Sequence, residues 1–123
     1  MSARVLAIAA TVLVPAIAQA EGFSSGFVTG FVSDVECMDT ARDSMDSHFS
    51  RYSMVPDTGE ASFSVFGFDV PPGRTQVAIV CSDDQGRYTA TVTGYSLQED
   101  GTRLQTVEAF LDLLEGVGPT GSK

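Results

Sequence analysis

The chain has 123 residues, with 16 acidic against seven basic, a formal net charge of −9 and a pI near 4.2. A surface of that sign repels nucleic acid and anionic membranes, so neither is an expected partner. Eight phenylalanines within a 43% hydrophobic composition exclude a disordered acidic tail and call for a packed core.

Residues 1–20 read as a cleaved secretory signal peptide. Arg4 supplies the positive start, residues 5–14 form a nearly unbroken apolar run, and Ala18-Gln19-Ala20 fits the small-x-small cleavage pattern, placing the cut after Ala20. A bilayer span needs about 20 apolar residues, and this run stops at Pro15. No cysteine follows the cut to take a lipid anchor. The expected product is residues 21–123, a single domain, periplasmic or secreted, without membrane insertion. Loss of Arg4 leaves six basic residues against 16 acidic, a formal charge of −10. In an oxidising compartment Cys37 and Cys81 are expected to pair as a disulfide.

Residues 22–32 (GFSSGFVTGFV) alternate Phe27, Thr29 and Phe31 against Val28, Gly30 and Val32, which predicts a first strand. Ser33-Asp34-Val35-Glu36 matches a capping box, in which Ser33 accepts from the third helical amide and Glu36 reaches back. Val35, Met38, Ala41, Met45, Phe49 and Tyr52 follow at helical spacing, with Asp39, Asp43 and Asp46 on the solvated side. Residues 53–59 form a linker marked by Pro56-Asp57 and Gly59. Residues 60–70, rich in Phe63, Val65, Phe66 and Phe68, predict a second strand ended by Pro71-Pro72-Gly73.

Residues 77–95 (VAIVCSDDQGRYTATVTGY) carry the strongest hairpin signal. The first arm is apolar on both faces, as in a central strand. The second alternates Tyr88, Ala90 and Val92 with Thr89, Thr91 and Thr93. A turn at Asp83-Asp84-Gln85-Gly86 would pair Cys81 with Tyr88, Ile79 with Ala90 and Val77 with Val92 on the core face. A last helix reaches from between Thr102 and Thr106 to Glu115. Its buried stripe is Leu104, Val107, Leu111 and Leu114, widened by Phe110 and Leu113, and a loose tail begins near residue 116.

The predicted fold is therefore α+β in the order β-α-β-β-β-α: a mostly antiparallel sheet, two helices packed on one face, and one disulfide. Bridged cysteines lie within about 7 Å between Cα atoms. Cys37 opens the first helix and Cys81 ends the first hairpin arm, so strand 1 and that arm must run in the same direction. Strand 2 then starts at the cystine end, and the linker must run back along the helix.

The candidate sites divide by chemistry. Asp34, Glu36, Asp39, Asp83 and Asp84 would gather at the cystine end, where oxygen ligands could take a divalent cation such as Ca²⁺. The helix N-terminus opposes a cation there, and the spacing is not that of a calcium loop. Met45 and His48, with Met38 and Met54 close in sequence, are thioether and imidazole donors suited to copper. Ser44 and His48 lie one turn apart, yet no nucleophile turn or orienting acid accompanies them. Phe27, Phe31, Phe66 and Phe68 could form an apolar patch on the sheet face left open by the helices. No catalytic or cofactor signature is present. The expected function is a non-catalytic binding module for a protein or small apolar ligand. A metal-binding accessory protein is the alternative and a small hydrolase the third reading.

Overall fold

A computed structural model describes residues 22–98 and 100–116; the segment expected to be a signal peptide and the expected loose tail from residue 117 lie outside them. Five strands form one antiparallel sheet in the order β1-β5-β4-β3-β2, with two helices. The strands are β1 Phe23–Phe31, β2 Thr58–Ala61, β3 Ser64–Val70, β4 Thr75–Asp84 and β5 Arg87–Tyr95; the helices are α1 Asp34–Arg51 and α2 Thr102–Leu114. Both helices pack on the same face, where the His48 and Phe110 rings meet at 4.7 Å. The expected α+β architecture holds.

The helix starts follow local chemistry. Ser33 caps α1 by accepting from the Glu36 amide at 3.0 Å, while Glu36 Oε1 accepts from the Val32 amide at 2.7 Å. That is a capping box displaced by one residue on its return bond. Cys37, Ala41, Met45, His48 and Phe49 form the buried stripe of α1, and Val35 and Tyr52 at its ends stay exposed. At α2, Asp100 Oδ1 accepts from both the amide and the hydroxyl of Thr102. Those bonds, the hydroxyl first, hold the Asp100 carboxyl below the usual carboxylate range.

The predicted second strand is a hairpin. Residues 62–63 turn the chain, and β2 pairs with β3 from Thr58↔Gly67 to Ala61↔Ser64. This β2 solves the return path required of the linker, because it carries the chain back toward the cystine as an edge strand. Next in order, β4 lies between β3 and β5, the central position its two apolar faces predict. The β4–β5 register is Cys81↔Ala90, Ile79↔Val92 and Val77↔Gly94, two residues from the expected pairing. Gln85 (φ 55°) and Gly86 (φ 89°) alone make the turn, so Asp83 and Asp84 extend the strand. Positive φ at both loop residues matches the right-handed twist of the arms. A shift of two leaves every side chain on its expected face.

The cystine closes as predicted, with Cys37 and Cys81 bridged at a Cα–Cα distance of 6.1 Å. β1 and β4 are each antiparallel to β5 and so point the same way. A buried arginine, which the hydropathy stripe of α2 misplaces, fastens the opposite end. Arg103 turns inward while Leu104 stays exposed. Arg103 Nε donates to Ser24 Oγ at 3.1 Å, and its Nη1 donates to the carbonyls of Ser96 (2.8 Å) and Gln98 (3.3 Å).

Two stability measurements follow. Replacing both cysteines by alanine frees partners 44 residues apart and should lower the unfolding free energy by about 4 kcal/mol in the chain-entropy picture. Arg103→Ala strands buried acceptors and should cost roughly 2–3 kcal/mol. Urea denaturation midpoints for the three proteins check both values.

Candidate functional site

With both helices on one side, the other sheet face is open. In β1 the side chains of Phe23, Ser25, Phe27 and Thr29 project onto it, opposite Tyr95, Thr93, Thr91 and Thr89 of β5. Gln76, Ala78, Val80 and Ser82 continue the rows across β4. Phe66, opposite Ala78, extends them into β3. Phe27 is 67% exposed and Val80 42%. Phe23, Phe68 and Tyr95 are also exposed, and the Phe23 and Tyr95 rings meet at 4.9 Å. Thr29 and Thr89 hydroxyls bond across the strands at 2.8 Å. The face therefore alternates apolar islands with a threonine column, a surface able to bury apolar groups and still offer hydroxyl partners.

Of the four phenylalanines expected in this patch, three reach the open side. Phe27 and Phe68 are exposed, Phe66 is half-buried, and Phe31 is the exception, only 9% exposed in the core. The cause is a β-bulge between Thr29 and Phe31, with Gly30 at φ 107°. One extra residue reverses the side-chain alternation, so Phe31 points inward. Phe23 and Tyr95 join the patch in its place; their alternation with Phe27 and Thr93 was the signal for them.

The proposed cation sites do not assemble. Among the described residues no three His, Cys, Asp or Glu side chains are placed to hold a metal ion. Glu36 is engaged with the Val32 amide, Asp39 with Arg42 at 2.7 Å, and Asp83 with the Gly86 amide. These local bonds hold Glu36, Asp39 and Asp83 on separate backbone segments, and Asp34 and Asp84 join no three-ligand group with them. Met45 and His48 are both fully buried but apart in role. Met45 packs its sulfur against the backbone at Gly67, where an added Cβ would clash with it. His48 Nε2 lies 2.7 Å from the Pro71 carbonyl, between the rings of Tyr52 and Phe110. A carbonyl only accepts, so Nε2 carries the proton and the lone pair lies on Nδ1, which is buried and has no hydrogen-bond partner, so it is not engaged with the neighbouring buried Ser44.

Among the described residues, two hollows flank the sheet. One, of about 540 Å³, lies beside the end of β1 and is lined by Val28, Thr29, Gly30, Phe31, Glu36, Leu114 and Glu115. The other, about 300 Å³, sits between the β3–β4 loop and the end of β5. Asp69 (φ 50°) near the end of β3 and Arg74 (φ 57°) in the loop adopt left-handed conformations, and the Gln76 side-chain amide accepts from the Asp69 amide and donates to its carboxylate. No family model, curated protein or solved structure matches the chain.

His48 yields a pH prediction. Burial, reinforced by the Arg51 charge and opposed by the Pro71 bond, pushes the imidazole below its ordinary value of 6.5. Between the folded and unfolded pKa the unfolded chain binds more protons. The contribution is thus complete above about pH 6.5 and is lost as pH falls through the folded pKa. NMR titration of this sole histidine should give a midpoint below 6.5. The melting temperature should fall from pH 7.5 to 5.5, less steeply in His48→Gln.

Proposed function

We propose that the chain is an exported, disulfide-stabilised, non-catalytic binding module, and that its open sheet face is the contact surface for a partner protein. The observation that carries this reading is the exposure of Phe23, Phe27, Phe68, Val80 and Tyr95 on one uncovered face. Single exposed apolar residues are ordinary, but several sharing one side of a sheet mark an interaction surface. Export is supported by the pattern of residues 1–20 and by the Cys37–Cys81 bridge, a linkage that persists in oxidising compartments.

Rigidity also favours binding over a mobile role. β4 and β5 form the middle of the sheet, and the face they present is set by buried Ile79, Cys81, Ala90 and Val92 directly behind it. Such a scaffold offers preorganised side chains, which reduces the ordering cost of association. The exposed aromatics supply area at low rotamer cost.

The test is comparative capture from the exported fraction. Phe27→Ser combined with Val80→Thr removes two apolar islands at exposed positions, where surface changes stay within about 0.5 kcal/mol of stability. Wild-type protein should retain a partner that this variant recovers at least tenfold less. Equal recovery by both, or none by either, overturns the reading.

A further inference from the structure

The two edges of the sheet are built differently. β2 is four residues long and its Glu60 is ion-paired to Arg42 at 2.8 Å. Short length and charge are the usual protection of an edge strand. β1 is nine residues long, and no charged residue occurs from Gly22 through Ser33. Among the described residues it has no neighbour on its outer side. Its single irregularity is the Gly30 bulge at the far end.

The free backbone groups can be assigned. The Ser96 amide donates to the Gly22 carbonyl at 3.1 Å, so Gly22 belongs to a hydrogen-bonded pair. Antiparallel ladders alternate. Ser24, Gly26 and Val28 therefore bond toward β5, while Phe23, Ser25, Phe27 and Thr29 direct their amides and carbonyls outward. The same four residues carry their side chains on the open face.

At the end of this edge lies the 540 Å³ hollow, with Glu36, Glu115 and the C-terminus of α2 in its wall. Glu115 at the negative end of α2 favours a cation, and Glu36, with one oxygen on the Val32 amide, adds a second carboxylate against the opposing N-terminus of α1. Arg87 Nη1 donates to the Gly30 carbonyl in the same wall, so an incoming cation has to be held by both carboxylates to offset that guanidinium. The overall charge of −9 draws basic segments toward the molecule. We propose that β1 accepts a strand from an extended partner polypeptide, added antiparallel, whose leading Lys or Arg enters the hollow between Glu36 and Glu115. The assignment rests on the binding-module reading and specifies its partner. It also selects against a second copy of this chain. In an antiparallel β1–β1 join the segment arriving at the hollow is the one before Gly22, which after the expected cleavage holds the Glu21 carboxylate and an α-ammonium but no Lys or Arg side chain.

The probe is an acetylated octapeptide beginning with two lysines and continuing in alternating valine and threonine, titrated into ¹⁵N-labelled, disulfide-intact protein. Saturable shifts at the amides of Phe23, Ser25, Phe27 and Thr29 are expected. Affinity should fall at least tenfold when alternate peptide amides on the pairing edge are N-methylated. A similar fall is expected when the lysines are moved to the last positions or replaced by glutamates, and Glu115→Lys should abolish the preference for lysine. Binding indifferent to N-methylation overturns strand addition while leaving the open-face reading intact. Absence of binding overturns it as well. Concentration-dependent shifts of the same four amides without peptide overturn it in favour of a second copy.

Discussion

The structure depends on one covalent constraint, the bridge from the first turn of α1 to β4. It holds the end of β1, through the short α1 entry, beside the middle of the sheet, with β5 between the two strands. Once β1 and β4 point the same way, α1 can only run back across the face on which Cys81 lies, and the chain must return before it can pair with β4. β2 and β3 make that return. Both cysteines belong to the same buried core as Ala41, Ile79 and Ala90, so the bridge also serves as packing.

A five-stranded sheet with only two helices can bury one face. The helix side takes the methyl-rich residues and the glycines that allow close approach. At Gly26 an added Cβ would sit 2.6 Å from Leu111 Cδ1, so α2 lies directly on the backbone of β1 there. The opposite side must remain in water, and β5 meets that demand with Thr89, Thr91 and Thr93, which favour strands and tolerate solvent. The aromatic residues on either side of this column are not needed for solubility or for the core. Their presence is what turns an uncovered face into a candidate surface.

Much of this was legible in the residues. The period-two pattern of β5, the two apolar faces of β4 and the capping box at Ser33 each have a direct structural counterpart, and the cystine fixed strand direction where periodicity could not. What stayed hidden was local. The turn at Ser62-Phe63 contains no glycine, proline or asparagine, so the apolar run through it read as one strand. Gly30 read as a weak strand residue, although a bulge there decides that Phe31 is core. Arg103 lies inside a helical stripe that hydropathy alone assigns to leucine, because its partners are the carbonyls of Ser96 and Gln98, seven and five residues back, and the Ser24 hydroxyl of β1. The carboxylate group failed as a site for a similar reason. Single bonds to nearby amides and to Arg42 compete with convergence, and spacing does not display them.

Charge is distributed in a way that joins these features. Among the described residues the buried polar side chains are serines, threonines, His48 and Arg103, with no aspartate or glutamate. The two buried bases bond to backbone carbonyls, Pro71 for His48 Nε2 and Ser96 with Gln98 for Arg103, so no carboxylate is consumed inside. The whole acidic excess therefore acts at the surface, where it reaches about 8–10 Å into physiological solvent. β1 and the centre of the open face remain uncharged within that field. Long-range attraction and short-range adhesion are thus assigned to different residues: the carboxylates select the sign of what approaches, and the uncharged strand and aromatics determine what stays.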